Sequence, residues 1–144
     1  MGYSDRQPTV LVADDELALV ELFELILVPH YTVLTATEGD TAWALLQRHR
    51  PDVALLDVQL PRRSGLALAE AIRDTPTLAG TAVLLMTGLS EGAAHDAAAA
   101  SGAAGYLTKP VRLQDLLSAV EQALATPRGA VPLGGRARRE GPCP

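Results

Sequence analysis

Five short apolar runs, separated by stretches of helical periodicity, constrain this chain more than any other feature. The runs are Val10–Ala13, Thr32–Thr35, Val53–Leu56, Ala82–Met86 and Gly105–Leu107. They are β-branched or leucine-rich and mostly unbroken, the pattern of strands covered on both faces in a parallel sheet. About Glu16–Leu27, Thr41–Arg48, Leu66–Arg73, Glu91–Ser101 and Leu113–Ala125 read as helices. Strand and helix alternate five times, so right-handed βαβ units stack into a doubly wound α/β sheet. With 48% hydrophobic residues but only 3% aromatics, the core is built from Leu, Val, Ile and Ala.

The 144 residues hold one ordinary domain. Residues 1–8 read as an N-terminal extension and 9–126 as the domain. Residues 127–144, PRGAVPLGGRARREGPCP, can bury almost nothing and read as a disordered tail. The tail sets four arginines against Glu140, a net of +3, which leaves −8 on the first 126 residues. A chain of net charge −5 is a poor nucleic-acid binder, because that affinity rests on cations meeting phosphates. The single cysteine, Cys143, cannot close a disulfide within the chain, and no run approaches the roughly 18 residues of a membrane span. The N-terminus lacks the layout of a signal peptide. The expected compartment is the cytoplasm.

In an open parallel sheet, ligands bind beyond the carboxyl ends of the strands. The first run ends in Asp14-Asp15-Glu16, the third in Asp57, the fourth in Thr87-Gly88 and the fifth in Lys109-Pro110. Carboxylates crowded there repel one another. A hard divalent cation removes the conflict, and magnesium is held by one or two carboxylates plus phosphate oxygens. Lys109, an ammonium with donors only, must then face an anion, and a phosphoryl group beside the metal is the natural one. Of 12 basic residues it is the only lysine, and a compact charge on a pliant stem suits a phosphoryl oxygen better than a rigid guanidinium does. Thr87 can donate to a second phosphoryl oxygen. The chemistry is phosphoryl transfer by positioning and charge neutralisation onto a carboxylate nucleophile.

Asp14-Asp15, Asp57 with Pro61 and Gly65 behind it, Thr87-Gly88, Tyr106 and Lys109-Pro110 together resemble the signature of response-regulator receiver domains of two-component signalling. The resemblance covers about Thr9 to Ala125. It implies a flavodoxin-like, five-stranded (βα)5 sheet of order 2-1-3-4-5. It further implies that Asp57 accepts a phosphoryl group from a sensor histidine kinase or a histidine phosphotransfer protein. Asp15, Asp57 and the backbone carbonyl of Gln59 would hold Mg2+ (or Mn2+), with Asp14 acting through a metal-bound water. Thr87, Gly88 and Lys109 would receive the phosphoryl oxygens, and Tyr106 would be the switch aromatic. The Lys109-Pro110 peptide is a candidate for cis. Such a module is not an enzyme beyond self-phosphorylation and autodephosphorylation. Arg63 departs from the pattern, standing where the family often has methionine.

The first helix is expected to lay Leu19, Leu22, Phe23, Ile26 and Leu27 on the sheet, leaving Leu17, Val20 and Leu25 outside. Leu17 and Val20 beside the acids are candidates for kinase docking. The fourth helix, rich in alanine, has little bulk with which to pack. Its face, with the fifth strand and fifth helix, is the expected output and dimer surface, toward a downstream protein that the residues do not name. Nothing after Ala125 reads as a DNA-binding domain, so the expectation is a stand-alone receiver or a piece cut within a linker. His30, His49 and His95 read as surface, and Trp43 as core or a half-buried cover. The alternative function is a haloacid-dehalogenase-type phosphatase or phosphotransferase, which needs an acid where Gln59 stands. A flavodoxin-type cofactor binder would need a glycine- and hydroxyl-rich loop where the chain has acids.

Overall fold

Each of the five apolar runs becomes a strand, lengthened by one residue, in the computed structural model, which describes residues 7–126. The expectations for residues 1–6 and for the tail at 127–144 lie outside the described residues. In chain order the elements are β1 (Thr9–Ala13), α1 (Leu17–Leu27), β2 (Thr32–Ala36), α2 (Gly39–His49), β3 (Val53–Asp57) and α3 (Gly65–Arg73). After a 3-10 turn at Pro76–Leu78 come β4 (Ala82–Thr87), α4 (Glu91–Ser101), β5 (Gly105–Thr108) and α5 (Leu113–Ala125). The sheet order is β2-β1-β3-β4-β5, with every pair parallel. The doubly wound, flavodoxin-like reading of the sequence holds.

Side chains alternate along each strand and so feed two cores. Leu11, Ala13, Ala54, Leu56, Val83 and Leu85 meet α2, α3 and α4 on one face. Val10, Val12, Val53, Leu55, Leu84 and Met86 meet α1 and α5 on the other. β3 lies at the centre and is buried along its whole length. Truncating one of its leucines to alanine would cost about 2–5 kcal/mol. α4 buries only Ala94, Ala98 and Ser101, as its composition led one to expect. His30, His49 and His95 are exposed and Trp43 is half-buried against the α2 side.

The orientation of α1 corrects the sequence reading. Its buried residues are Val20, Phe23 and Leu27, whereas Leu22 joins Leu17, Leu25 and Val28 among the exposed apolar side chains. Only Glu21 and Glu24 interrupt the apolar text of this helix, so its periodicity admits more than one stripe. The sheet selects the stripe through Val20, which is 2% exposed and cannot contact a partner; Leu17, 57% exposed, can.

α2 ends at Arg50, whose backbone is left-handed (φ 46°, ψ 63°), while α4 ends at Gly102 with φ 81°. A side chain in that region costs about 1 kcal/mol that glycine avoids. Arg50→Gly is therefore expected to stabilise the fold by about 0.5 kcal/mol after glycine's greater unfolded-state entropy is subtracted. A urea midpoint unchanged or lowered by the substitution would contradict this.

Candidate functional site

Because all five strands run the same way, their C-terminal ends deliver their next residues to one edge. Asp14 and Asp15 follow β1, Asp57 closes β3, Thr87 closes β4 and Lys109 follows β5. Carboxylate oxygens of Asp14, Asp15 and Asp57 lie within 4.8 Å of one another. Asp14 is wholly buried and Asp57 is 4% exposed, while Asp15 faces solvent.

Each buried carboxylate divides its two oxygens between backbone and ammonium. Asp14 Oδ1 accepts from the Glu16 amide at 2.9 Å, and Asp57 Oδ1 accepts from the Gln59 amide at 3.0 Å. Lys109 Nζ donates to Asp14 Oδ2 at 2.9 Å and to Asp57 Oδ2 at 3.0 Å. Partial burial lowers the Lys109 pKa, but the two hydrogen bonds and the charges of Asp14 and Asp57 outweigh it, leaving it above the ordinary lysine value. The anions that Lys109 meets are thus the acids themselves. Reasoning from the sequence assigned it a phosphoryl group alone, because nothing in one dimension sets its distance from Asp14, 95 residues away.

The donor set fits a hard divalent cation. Three carboxylates beside one ammonium leave a formal charge of −2. All the converging anionic atoms are oxygens, the ligands that magnesium prefers. The hydrogen bond from the Gln59 backbone amide to Asp57 Oδ1 fixes the first turn after β3 against the site. Gly65 lies close behind, where an added Cβ would come within 2.3 Å of the Asp57 carbonyl oxygen. This approach explains why glycine follows Asp57 at that spacing.

Thr87 is buried and its Oγ1 accepts from the Leu89 amide at 3.0 Å, which leaves the hydroxyl proton for another acceptor. Gly88 beside it is exposed at the strand end. The Lys109-Pro110 peptide is cis, and the Lys109 amide bonds the Thr87 carbonyl at 2.7 Å. Tyr106 is half-buried against the α2–α4 core. Its hydroxyl reaches outward to donate to Glu91 Oε2 at 2.8 Å on the first turn of α4. The His95 ring meets the Tyr106 ring edge-on, 6.1 Å between centroids.

The model of the response regulator receiver domain matches residues 10–121. The chain belongs to this family. The receiver is 39% identical over 103 residues to the response regulator PleD of Caulobacter vibrioides, covering 71% of this chain and 23% of that protein. It is 32% identical to the transcriptional regulatory protein PdtaR of Mycobacterium tuberculosis over 128 residues, covering 88% of this chain and 61% of that one. The chain therefore spans less than two thirds of these curated relatives. In structure it is similar to the chemotaxis response regulator CheY4 of Vibrio cholerae (TM-score 0.76, 29% identity), with 82% of this chain and 99% of that chain covered. The haloacid-dehalogenase alternative gains no support: Gln59 stands where its acid is required. Among the described residues no helix is long and apolar enough to cross a membrane.

Removing the ammonium leaves Asp14 buried without its charged partner. Lys109→Met is expected to lower the unfolding free energy by roughly 1–3 kcal/mol, less than for a fully buried pair because Lys109 is partly solvated. Urea unfolding at neutral pH measures this, and an unchanged midpoint would show that the pair does not neutralise the acids.

Proposed function

We propose that this receiver, residues 9–126, accepts a phosphoryl group onto Asp57 from a phosphohistidine of a sensor kinase or phosphotransfer protein. The observation that carries the reading is one shared edge: three carboxylates within 4.8 Å, a lysine bridging two of them and a threonine hydroxyl on the next strand. An Asp57 oxygen attacks phosphorus as the P–N bond to histidine breaks, and the histidine nitrogen leaves with the electron pair. Asp14, Asp15, Asp57 and the Gln59 carbonyl are the residues that would hold Mg2+ or Mn2+. When bound, the metal supplies charge neutralisation for the transferred phosphoryl oxygens. Lys109 already lies 3.0 Å from Asp57 Oδ2 and needs only a small shift to meet a phosphoryl oxygen there. The Thr87 hydroxyl serves a second one, with Gly88 alongside.

Movement of Thr87 toward that group would change the packing beside Tyr106, whose hydroxyl now rests on Glu91 of α4. The α4–β5–α5 face is then the surface that a downstream protein, or a second copy, would read. Work at a cytoplasmic kinase fits a domain of this kind. In the presence of magnesium, acetyl phosphate should label the parent protein and leave Asp57→Asn unlabelled, as followed by Phos-tag electrophoresis. Labelling of the variant at the parental rate would refute Asp57 as acceptor.

Leu17 stands exposed at the start of α1, two residues after Asp15. As a contact for the kinase's helical bundle, it predicts that Leu17→Glu slows transfer from the kinase several-fold while acetyl phosphate labelling keeps its rate. Equal losses in both assays would remove Leu17 from the docking surface.

A further inference from the structure

The loop that carries Gln59 is joined to α2 by more contacts than a passing loop requires. α2 begins without a cap of its own: Glu38, at the N-cap, makes no side-chain cap hydrogen bond. A helix start leaves amide donors that need outside acceptors. The Gly39 amide instead donates to the Pro61 carbonyl at 2.9 Å, and that oxygen also accepts from the Arg63 amide at 2.8 Å. One carbonyl therefore closes the turn of the loop and receives the first amide of α2.

Backbone meets backbone at this junction. A Cβ added to Gly39 would fall 2.0 Å from the Arg63 carbonyl oxygen, so only glycine allows the approach. Two arginines reinforce it from the loop side. Arg63 lays its guanidinium over the Trp43 ring, 5.2 Å from the centroid, with Nε 3.9 Å from Asp40. Arg62, held at φ 73°, places Nε 3.3 Å from Glu38. These exposed contacts are individually modest. Together they press the loop onto the first turn of α2, and Arg63, at the position departing from the family pattern, makes two of them.

We propose that the N-terminal end of α2, through Gly39 and the Arg63–Trp43 stack, positions the loop that presents the Gln59 carbonyl to the metal. The inference rests on the metal-site reading above. Gly39, Arg63 and Trp43 are positioning residues; none touches the acids. Their removal should loosen the loop and weaken metal binding, as loss of outer-shell support does at other metal sites.

The test compares parent, Gly39→Ala and Arg63→Ala by calorimetric titration with MgCl2 and by acrylamide quenching of Trp43, the only tryptophan in the sequence. The expected result is about tenfold weaker Mg2+ binding for Gly39→Ala and a smaller loss for Arg63→Ala. Trp43 should become more accessible to quencher in both, and Arg63→Met, which keeps an apolar cover on the ring, should recover part of the affinity. Parental Mg2+ affinity in both variants, whether or not Trp43 becomes more accessible, would overturn the proposal. If Gly39→Ala fails to fold, the Arg63 pair decides by the same criterion. A parent that binds no Mg2+ would instead defeat the metal-site reading itself, which the titration of the unsubstituted protein reveals first.

Discussion

A carboxylate sealed from water persists only beside compensating charge, and the active edge of this receiver is organised by how Asp14 meets that condition. Its partner, Lys109, comes from the far end of the chain and bridges to Asp57 as well. The cis peptide at Pro110 and the bond from the Lys109 amide to Thr87 belong to the same strand end. One ammonium therefore ties β1, β3 and β5 together, while a residual charge of −2 keeps the cluster receptive to a divalent cation.

The scaffold around that edge is unevenly held. α1, α2, α3 and α5 each bury leucine, isoleucine, valine or phenylalanine, whereas α4 buries two alanines and a serine. Polar contacts near its two ends supplement this small apolar area: Tyr106 to Glu91, and Arg73 Nη1 to the Ala100 carbonyl at 3.3 Å. Exposed contacts of this kind are worth little individually. The helix next to the half-buried tyrosine is consequently the one that buries the least side-chain bulk.

Besides the partners of Lys109, two features escaped sequence reasoning for physical causes that can be named. In α1 nearly every position is apolar, so hydrophobic periodicity could not separate the stripe through Val20, Phe23 and Leu27 from one that includes Leu22. The packing partner decides the stripe, and the partner is the sheet. Arg63 had no legible purpose because its neighbours, Trp43 and Asp40, lie on another element, and no local pattern links them. By contrast, α4 and α5 keep the bounds read from periodicity, and all five strands were found to within one residue.

The order of short apolar runs and amphipathic stretches was enough to determine a parallel, doubly wound sheet, because unbroken apolar strands must be covered on both faces. That order also brought the acids, the threonine and the lysine to a single edge, since parallel strands all end on the same side. Only the folded chain decided which oxygens the lysine holds, which face of α1 is buried and how the loop after Asp57 rests on α2. Those outcomes depend on distances between residues remote in sequence, and a one-dimensional pattern carries no such distances.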